Sequence, residues 1–276
     1  MPGPRSPRVA AARRLLGAAA RRERGRFLVE GSQAVGVGLS AGALHEVYVG
    51  ESAVPRYADL LRDAAVPVRV VTDAAVAALS ETVTPQGIVG VAALPRHRVD
   101  ELVAPRLVAV LVEARDPGNA GTVVRTADAA GADAVVFAGD CVDPYNGKSV
   151  RASAGSLFHL PVIVDVGLGE ALAGLRAAGC RLVAATADAG RDLDAALDAG
   201  ELAGPTAWLF GNEAHGLPAA ARAGVDTALR VPVYGRAESL NLAAAAAVCL
   251  YASARTSRAS GAGRHGRSGP RGGGPE

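Results

Sequence analysis

Cysteine is scarce in this chain of 276 residues, and its arrangement excludes two kinds of structure. The three cysteines are far apart, form no C-x-x-C pair and have no histidine at metal-ligand spacing: Cys141, Cys180 and Cys249. An odd, scattered set argues against a disulfide framework and against a zinc site. We therefore expect a protein of a reducing compartment, the cytoplasm, that binds no metal.

Long apolar runs are also lacking, although half of the residues are hydrophobic. No stretch approaches the roughly 18 apolar residues that a membrane-spanning helix requires. Apolar stretches near the N-terminus are interrupted by four arginines and so do not form a signal-peptide core: Arg13, Arg14, Arg21 and Arg22. We expect a soluble protein with no membrane partner.

Charge is distributed unevenly along the chain. Residues 1–26 carry eight arginines and one glutamate, and residues 255–276 carry five arginines and one glutamate. The segment between them is acidic, with 16 basic and 25 acidic residues. Arginine-rich ends suit a polyanionic partner such as nucleic acid, because each neutralised phosphate releases counterions. Composition alone allows a second interpretation, that both ends are solvated and disordered.

The first part of the chain alternates short strands and helices. After a basic helix over residues 5–24, the pattern predicts a small α/β unit over residues 27–94. Its strands are expected at residues 27–30, 46–49, 68–71 and 88–93. Helices are expected from an N-cap at Ser32 and over residues 55–65 and 73–80. Residues 95–106 contain two prolines and mixed charges, which is typical of a linker.

A second unit is predicted over residues 107–255. Its strands are continuous apolar runs, as in parallel sheets covered by helices on both faces. They are expected at residues 107–112, 134–138, 162–166, 181–186, 207–210 and 229–233. Helical stretches alternate with them, which predicts a Rossmann-like, doubly wound parallel sheet. From residue 256 onward the chain is rich in Gly, Ser and Arg, and we expect this tail to be disordered.

Ligands of open α/β sheets bind beyond the carboxyl ends of the strands, so residues that directly follow strands are candidates for function. After the first strand of the second unit, Asn119 stands where a helix N-cap belongs and Arg125 lies two turns into the helix. Taken alone, Asn119 could be a cap and Arg125 a solvated or salt-bridged residue. Alternatively, the helix N-terminus and the guanidinium together hold an anion.

Two further segments follow later strands. Gly211 lets the backbone approach a ligand after a buried strand, and Glu213 is exposed next to it. His215, in the same turn, is typical of a solvated residue and is not proposed as a base.

The third segment is a loop made rigid by Pro232 and Gly235, which ends with Ser239 and Asn241 at the start of an alanine-rich helix. A turn and a helix cap are the simpler interpretations of these two segments.

The three segments together resemble the three sequence motifs of the SpoU (TrmH-like) branch of the SPOUT RNA methyltransferases. The matches are Asn-x-Gly-x-x-x-Arg at 119–125, Gly-Asn-Glu-x-x-Gly at 211–216 and Pro-x-x-Gly-x-x-x-Ser-Leu-Asn at 232–241. The resemblance implies a C-terminal deep trefoil knot, a homodimer with active sites at its interface, and S-adenosylmethionine as the cofactor. It places four residues at that cofactor: Leu209, Gly211, Val231 and Leu240.

The resemblance also implies the reaction, methylation of a ribose 2′-hydroxyl of RNA. It assigns Arg125 to orienting the hydroxyl and stabilising its developing charge, with Asn119, Glu213, Ser239 and Asn241 in support. Arginine is always protonated, so we expect it to act by positioning, as a bridge between a substrate phosphate and the 2′-oxygen, while another group or the phosphate accepts the proton. Neither a metal nor a second cofactor is expected.

The N-terminal unit resembles the L30e-like substrate-binding domain of family members that act on large-subunit ribosomal RNA. This resemblance rests on its position and on Phe-Leu-Val-Glu-Gly at residues 27–31. It favours ribosomal RNA, with 23S rRNA as the expected substrate, over transfer RNA as the alternative.

Two other functions remain possible at this point. Gly167-Leu-Gly169 after a strand, followed about twenty residues later by Asp188, partly matches the dinucleotide-binding fingerprint of dehydrogenases, but the third glycine is replaced by Leu172. A non-catalytic RNA-binding or ribosome-assembly factor on the same fold is the second alternative, which the basic ends would suit.

Overall fold

The computed structural model describes the backbone of residues 1–261 and the side chains of residues 1–256. Two β-sheets organise this part of the chain. The first has four strands in the order β1-β4-β2-β3, and β4 is antiparallel to β1 and β2. Its strands are β1 (Arg26–Glu30), β2 (Leu44–Gly50), β3 (Val68–Val71) and β4 (Ile88–Ala93).

The segment before β1 is folded. It contains helix α1 (Pro7–Arg13), a 3-10 turn (Arg14–Leu16) and helix α2 (Ala18–Arg24). The single helix predicted over residues 5–24 was therefore wrong, because the extended backbone of Gly17 interrupts it. The apolar side chains of α1 and the turn pack on the four-stranded sheet, in a core cluster with Leu28 and Tyr48.

Two predicted helices of the first unit are shorter than expected, those at residues 55–65 and 73–80. Its helices are α3 (Ser32–Ser40), α4 (Ala58–Leu61) and α5 (Asp73–Ala77). Ser32 is the first residue of α3 rather than its N-cap, which is Gly31 with a positive φ. The helix expected over residues 55–65 is a 3-10 turn at residues 55–57 followed by the single turn of α4.

The second sheet has six parallel strands in the order β10-β8-β9-β5-β6-β7, which confirms the predicted parallel α/β fold. Its strands are β5 (Leu107–Val112), β6 (Ala134–Ala138), β7 (Val162–Val166), β8 (Arg181–Ala185), β9 (Thr206–Phe210) and β10 (Thr227–Leu229). The last strand was predicted at 229–233 and instead ends at Leu229. The expected trefoil knot stays a prediction.

Helices cover both faces of this sheet. They are α6 (Pro117–Ala130), α7 (Gly147–Ser153), α8 (Leu168–Ala177), α9 (Leu193–Asp198), α10 (Ala219–Ala223) and α11 (Leu242–Gly261). Alternate residues of β5 enter different core clusters: Leu111 packs in the cluster that includes α6 and α11, and Val110 packs in the cluster that includes α8 and α10. Burial on both sides explains why the strands are continuously apolar.

Helix α11 extends into the segment that was expected to be disordered from residue 256, and residues 262–276 lie outside the described residues. No helix within residues 1–261 combines the length and hydropathy needed to cross a bilayer.

The two sheets share one hydrophobic core. The ring of Phe27 on β1 lies 4.9 Å from that of Tyr145, which precedes α7. Two ion pairs also join the units: Arg21 with Asp143 at 2.6 Å and Arg151 with Glu30 at 2.8 Å. Both Arg21 and Glu30 are buried. Within the predicted linker, Val99 is buried in the core of the second sheet. These contacts hold the N-terminal unit against the second unit.

Helices α6 and α7 approach so closely that no side chain fits between them at Gly121. A Cβ atom at this position would lie 2.3 Å from the backbone oxygen of Ser149 and 2.7 Å from the Cβ of Ala152. Glycine is therefore required there, and α7 fixes the position of α6.

We predict that Gly121→Ala lowers the free energy of unfolding by about 1–3 kcal/mol, because the helices must separate to admit the methyl group. Urea titration monitored by circular dichroism measures it. Gly169→Ala is the matched control, since nothing lies near its Cβ position in α8. That variant should equal the wild type or exceed it by up to about 1 kcal/mol. A Gly121→Ala protein as stable as this control would contradict the prediction.

Candidate active site

Three segments that are distant in the sequence meet at the carboxyl edge of the six-stranded sheet. Asn119 lies in the first turn of α6, Glu213 in the turn after β9, and Asn241 directly before α11. The Nδ2 of Asn119 donates to Oε1 of Glu213 at 2.9 Å. The Nδ2 of Asn241 donates to Oδ1 of Asn119 at 3.1 Å. One amide thus joins all three segments.

The side chain of Asn119 is available for these contacts because another residue caps the helix. The N-cap is Asp116, whose Oδ1 accepts a hydrogen bond from the backbone N–H of Asn119 at 2.7 Å. The prediction that Asn119 is the cap was therefore wrong. Lys148 donates to the other carboxylate oxygen at 2.9 Å. This contact and the hydrogen bond from Asn119 lower the pKa of Asp116, so the cap stays ionised at neutral pH.

The turn after β9 is tight. A Cβ atom at Gly211 would lie 2.3 Å from the backbone carbon of Gly216 and 2.4 Å from the backbone nitrogen of Leu217, so only glycine fits. The side chain of Asn212 accepts a hydrogen bond from the amide of Ala214 and donates to the backbone oxygen of Glu113, each at 2.9 Å. The sequence did not reveal these roles of Asn212 and Glu113, because Glu113 lies about a hundred residues away.

A cavity of about 1000 Å³ opens beside this turn. That is at the upper end of the range of roughly 300–1,000 Å³ for small-molecule sites. Among its lining residues are six of the nine predicted site residues: Gly211, Glu213, Val231, Ser239, Leu240 and Asn241. The structure thus brings together most of the residues that the sequence singled out.

The loop of residues 230–241 forms one wall of this cavity. From residue 231 to 240, no amide of this loop donates to a backbone carbonyl within the described chain. Backbone donors and acceptors normally find partners in folded proteins, so unpaired groups beside a cavity are suited to hydrogen-bonding a ligand. Apolar side chains such as Val231 and Leu240 stand next to them. This combination suits a small ligand that has both polar and apolar parts.

Three predicted residues lie outside the cavity lining. The side chain of Leu209 is fully buried in the core beneath the sheet. Asn119 adjoins the cavity through its bonds to Glu213 and Asn241. Arg125 is exposed on α6 and forms no hydrogen bond or ion pair within the described residues. The partner expected for its guanidinium is thus not supplied by this part of the same chain.

Two ion pairs that sequence reasoning missed also line the cavity. Arg222 contacts Asp188 at 2.6 Å and Arg230 contacts Asp192 at 2.8 Å. Each arginine lowers the pKa of its carboxylate partner. Spacings of 34 and 38 residues left no local signal for either pair. No cluster of three or more potential metal ligands occurs among the described residues.

Sequence comparison identifies the family to which these features belong. The pattern of the SpoU rRNA Methylase family matches residues 106–251, more than half of the chain. The chain belongs to the SpoU rRNA methylase family. A second pattern, that of the MRM3-like substrate binding domain, matches residues 6–90.

Two characterised relatives cover most of this SpoU family member. It is 37% identical over 227 residues to the 23S rRNA (guanosine(2553)-2′-O)-methyltransferase RlmP of Bacillus subtilis (strain 168). The aligned residues make up 82% of this chain and 87% of that protein. It is 34% identical over 251 residues to the 23S rRNA (uridine(2479)-2′-O)-methyltransferase of Streptomyces viridochromogenes, 87% of each chain.

A solved structure agrees with these relatives. The SpoU methyltransferase AviRb from Streptomyces viridochromogenes, in complex with the cofactor AdoMet, superposes with a TM-score of 0.80 at 30% identity. The superposition covers 91% of this chain and 98% of that one. The family fold thus extends over both sheets.

Strand order argues against the dehydrogenase alternative. The partial fingerprint requires β7 and β8 to be neighbours that share one nucleotide site. In this SpoU family member β9, β5 and β6 lie between them. Asp188 is instead paired with Arg222 beside the cavity, away from Gly167 at the start of α8.

We predict that Gly211→Ala weakens S-adenosylmethionine binding at least tenfold, because the added methyl group displaces the backbone that forms the cavity wall. Isothermal titration calorimetry measures this, and circular dichroism verifies that the variant is folded. Gly190→Ala is the control, since its Cβ position is open and it does not line the cavity. Equal affinities of the two variants would refute the role of Gly211.

We predict that Asn119→Asp slows methyl transfer at least tenfold. The new carboxylate faces Glu213 without a donor, and two like charges about 4 Å apart repel by about 1–4 kcal/mol near a surface. In the double variant Asn119→Asp/Glu213→Gln, the glutamine amide can donate to the aspartate and restore the contact. Methyl-transfer rates of the wild type and of Asn119→Asp test the loss of activity. Thermal unfolding of the wild type and of both variants tests the contact itself, since Glu213→Gln also removes a carboxylate from the site, and a double variant no more stable than Asn119→Asp would count against the bridging role.

Proposed function

We propose that this chain transfers the methyl group of S-adenosylmethionine to a ribose 2′-hydroxyl of 23S rRNA. The observation that carries the proposal is the bridge from Asn119 to Glu213 and Asn241, which joins the three motif segments beside one cavity. The activities of the relatives in Bacillus subtilis and Streptomyces viridochromogenes support the choice of RNA, of its subunit and of the ribose 2′-hydroxyl as the position methylated. With such a substrate, the protein would act in the cytoplasm.

The proposed cofactor site is the cavity itself. Gly211, Val231 and Leu240 would hold S-adenosylmethionine through backbone groups and apolar contacts. The buried side chain of Leu209 can act only by shaping the strand end that precedes Gly211. When bound, the cofactor supplies an electrophilic methyl group on a sulfonium. The reaction needs no metal in this scheme.

The polar side chains beside the cavity would receive the RNA. Ser239 and Asn241 present hydroxyl and amide groups at its edge, and Glu213 adds a carboxylate. Their fixed geometry would orient the 2′-hydroxyl toward the methyl donor, which is the main requirement for a weak nucleophile. Arg125 would hold a substrate phosphate and stabilise the developing oxyanion. The proton would pass to another group, because a guanidinium is always protonated.

We further propose that the active unit is a homodimer. Large apolar side chains are exposed in the loop before α11 and on α11 itself: Val233, Tyr234, Leu240, Val248 and Tyr251. Helix α11 packs against α6, which carries the unpartnered Arg125. A second copy covering this face would bury the apolar groups and bring Arg125 to the RNA at a composite site.

Relatives of this chain differ in the base that carries the methylated ribose. The two characterised relatives modify a guanosine and a uridine, although both are similar to this chain over more than four fifths of its length. Similarity of the whole chain therefore does not determine which base is chosen.

We predict that Arg125→Ala reduces methyl transfer to ribosomal RNA at least a hundredfold and leaves S-adenosylmethionine affinity within about twofold of wild type, since Arg125 does not line the cavity. Tritium transfer into alkali-stable dinucleotides measures turnover, and calorimetry measures affinity. Arg125→Lys keeps the charge but loses the planar two-pronged donor, so only partial activity is expected. Full turnover by Arg125→Ala would overturn the assignment.

A further inference from the structure

The N-terminal segment carries unusually many unpaired arginines. Seven of its eight arginines are exposed, and their guanidinium groups form no hydrogen bond or ion pair within the described chain: Arg5, Arg8, Arg13, Arg14, Arg22, Arg24 and Arg26. Several exposed arginines elsewhere, among them Arg62, Arg98 and Arg176, contact a carboxylate. The only acidic residue in this segment is Glu23. We call these seven residues the arginine surface.

The arginine surface stands on an ordered scaffold. Val9, Ala12 and Leu15 are buried against the four-stranded sheet, so the apolar side of the segment is already covered. Arg21, the eighth arginine, is 5% exposed and donates to Asp143 and to the backbone oxygens of Leu15 and Leu16. A disordered tail would show neither feature. Loss of chain entropy on binding is therefore small for this segment.

The same contacts connect the arginine surface to the active site. Asp143 lies just before α7, and Arg151 within α7 binds Glu30 of the N-terminal unit. The first turn of α7 also holds the start of α6, because Lys148 contacts Asp116 and Ser149 donates to the backbone oxygen of Pro117. Asn119 follows in the same turn. Helix α7 thus fixes the distance between the arginine surface and the Asn119 bridge.

We propose that the arginine surface binds the phosphate backbone of folded RNA and acts as a fixed anchor from which the target ribose reaches the active site. This inference rests on the proposed function and names the residues through which the unit that matches a substrate binding domain would contact RNA. Guanidinium groups suit phosphates, since each presents a planar set of donors. The chemistry does not favour a bilayer, because no apolar side of the segment is left to insert.

The test replaces four arginines of this surface, Arg5, Arg8, Arg13 and Arg14, by alanine in the full chain. The matched control replaces four exposed arginines that are already paired with carboxylates: Arg62, Arg98, Arg176 and Arg191. Both variants lose the same formal charge. A third variant carries lysine at the four surface positions. The probes are a fluorescent RNA hairpin, followed by anisotropy over a salt series, and anionic phospholipid vesicles.

We expect the alanine variant to bind the hairpin at least tenfold more weakly than the wild type. The slope of log K against log salt should fall by about 3–4, since each lost phosphate contact removes about 0.9. The control should stay within about twofold, and the lysine variant should recover most of the affinity. Equal losses in the alanine and control variants, or loss of vesicle binding with unchanged RNA binding, would overturn the proposal.

Methylation is measured separately so that the two proposals can fail independently. We expect kcat/KM for ribosomal RNA to fall in the alanine variant mainly through KM, while S-adenosylmethionine affinity stays at the wild-type value. If the wild type methylates no ribosomal RNA yet the alanine variant loses hairpin binding, the proposed function fails and the anchor stands. If methylation is established and hairpin affinity and KM are unchanged, the anchor fails alone.

Discussion

The side-chain amide of Asn119 is the contact on which the rest of the site depends. It donates to Glu213 and accepts from Asn241, so the helix after β5, the turn after β9 and the segment before α11 are held together by one group. A carboxamide suits this place because it is a donor and an acceptor at once and carries no charge. A residue with only one of these capacities would leave one segment unattached.

Several features of the scaffold serve to place this amide. Asp116 takes over the capping of α6, which frees the Asn119 side chain. Gly121 lets α7 approach α6 within direct backbone contact, and Gly211 allows the turn after β9 to fold against Leu217. Glycines thus allow the backbone segments to approach each other closely, and polar residues at the start of α6 connect them. Together they bring three loops to one pocket.

Much of this arrangement could be predicted from the sequence. Strands buried on both faces leave continuous apolar runs, which is why five of the six strands of the parallel sheet were located to within a residue. The sixth was misplaced because Val231 and Val233 resemble strand residues, although they line the cavity beyond the end of β10. An apolar residue in the sequence can either pack in the core or line a ligand cavity, and the sequence alone does not distinguish these two places. Leu209 shows the same ambiguity, since its side chain is buried in the core while its strand ends at the cavity.

Contacts between distant segments could not be predicted in the same way. Asp116 and Asn119 are both residue types that cap helices, and both lie near the start of α6. The choice between them depends on tertiary contacts: Asp116 accepts from the backbone N–H of Asn119, while the Asn119 side chain contacts Glu213. The pairs of Arg222 with Asp188 and of Arg230 with Asp192 depend on how β8 and β10 are placed side by side. Patterns of neighbouring residues in the sequence do not reveal which strands lie next to each other or how they are aligned.

We infer that the enzyme whose pocket is held together by Asn119 methylates one ribose of the large ribosomal RNA. The most direct measurement is a map of 2′-O-methylated nucleotides in 23S rRNA from cells that carry this gene and from cells that lack it. The account predicts that one 2′-O-methyl signal disappears in the cells without the gene and returns when an intact copy is supplied. Identical maps from both cells would contradict it.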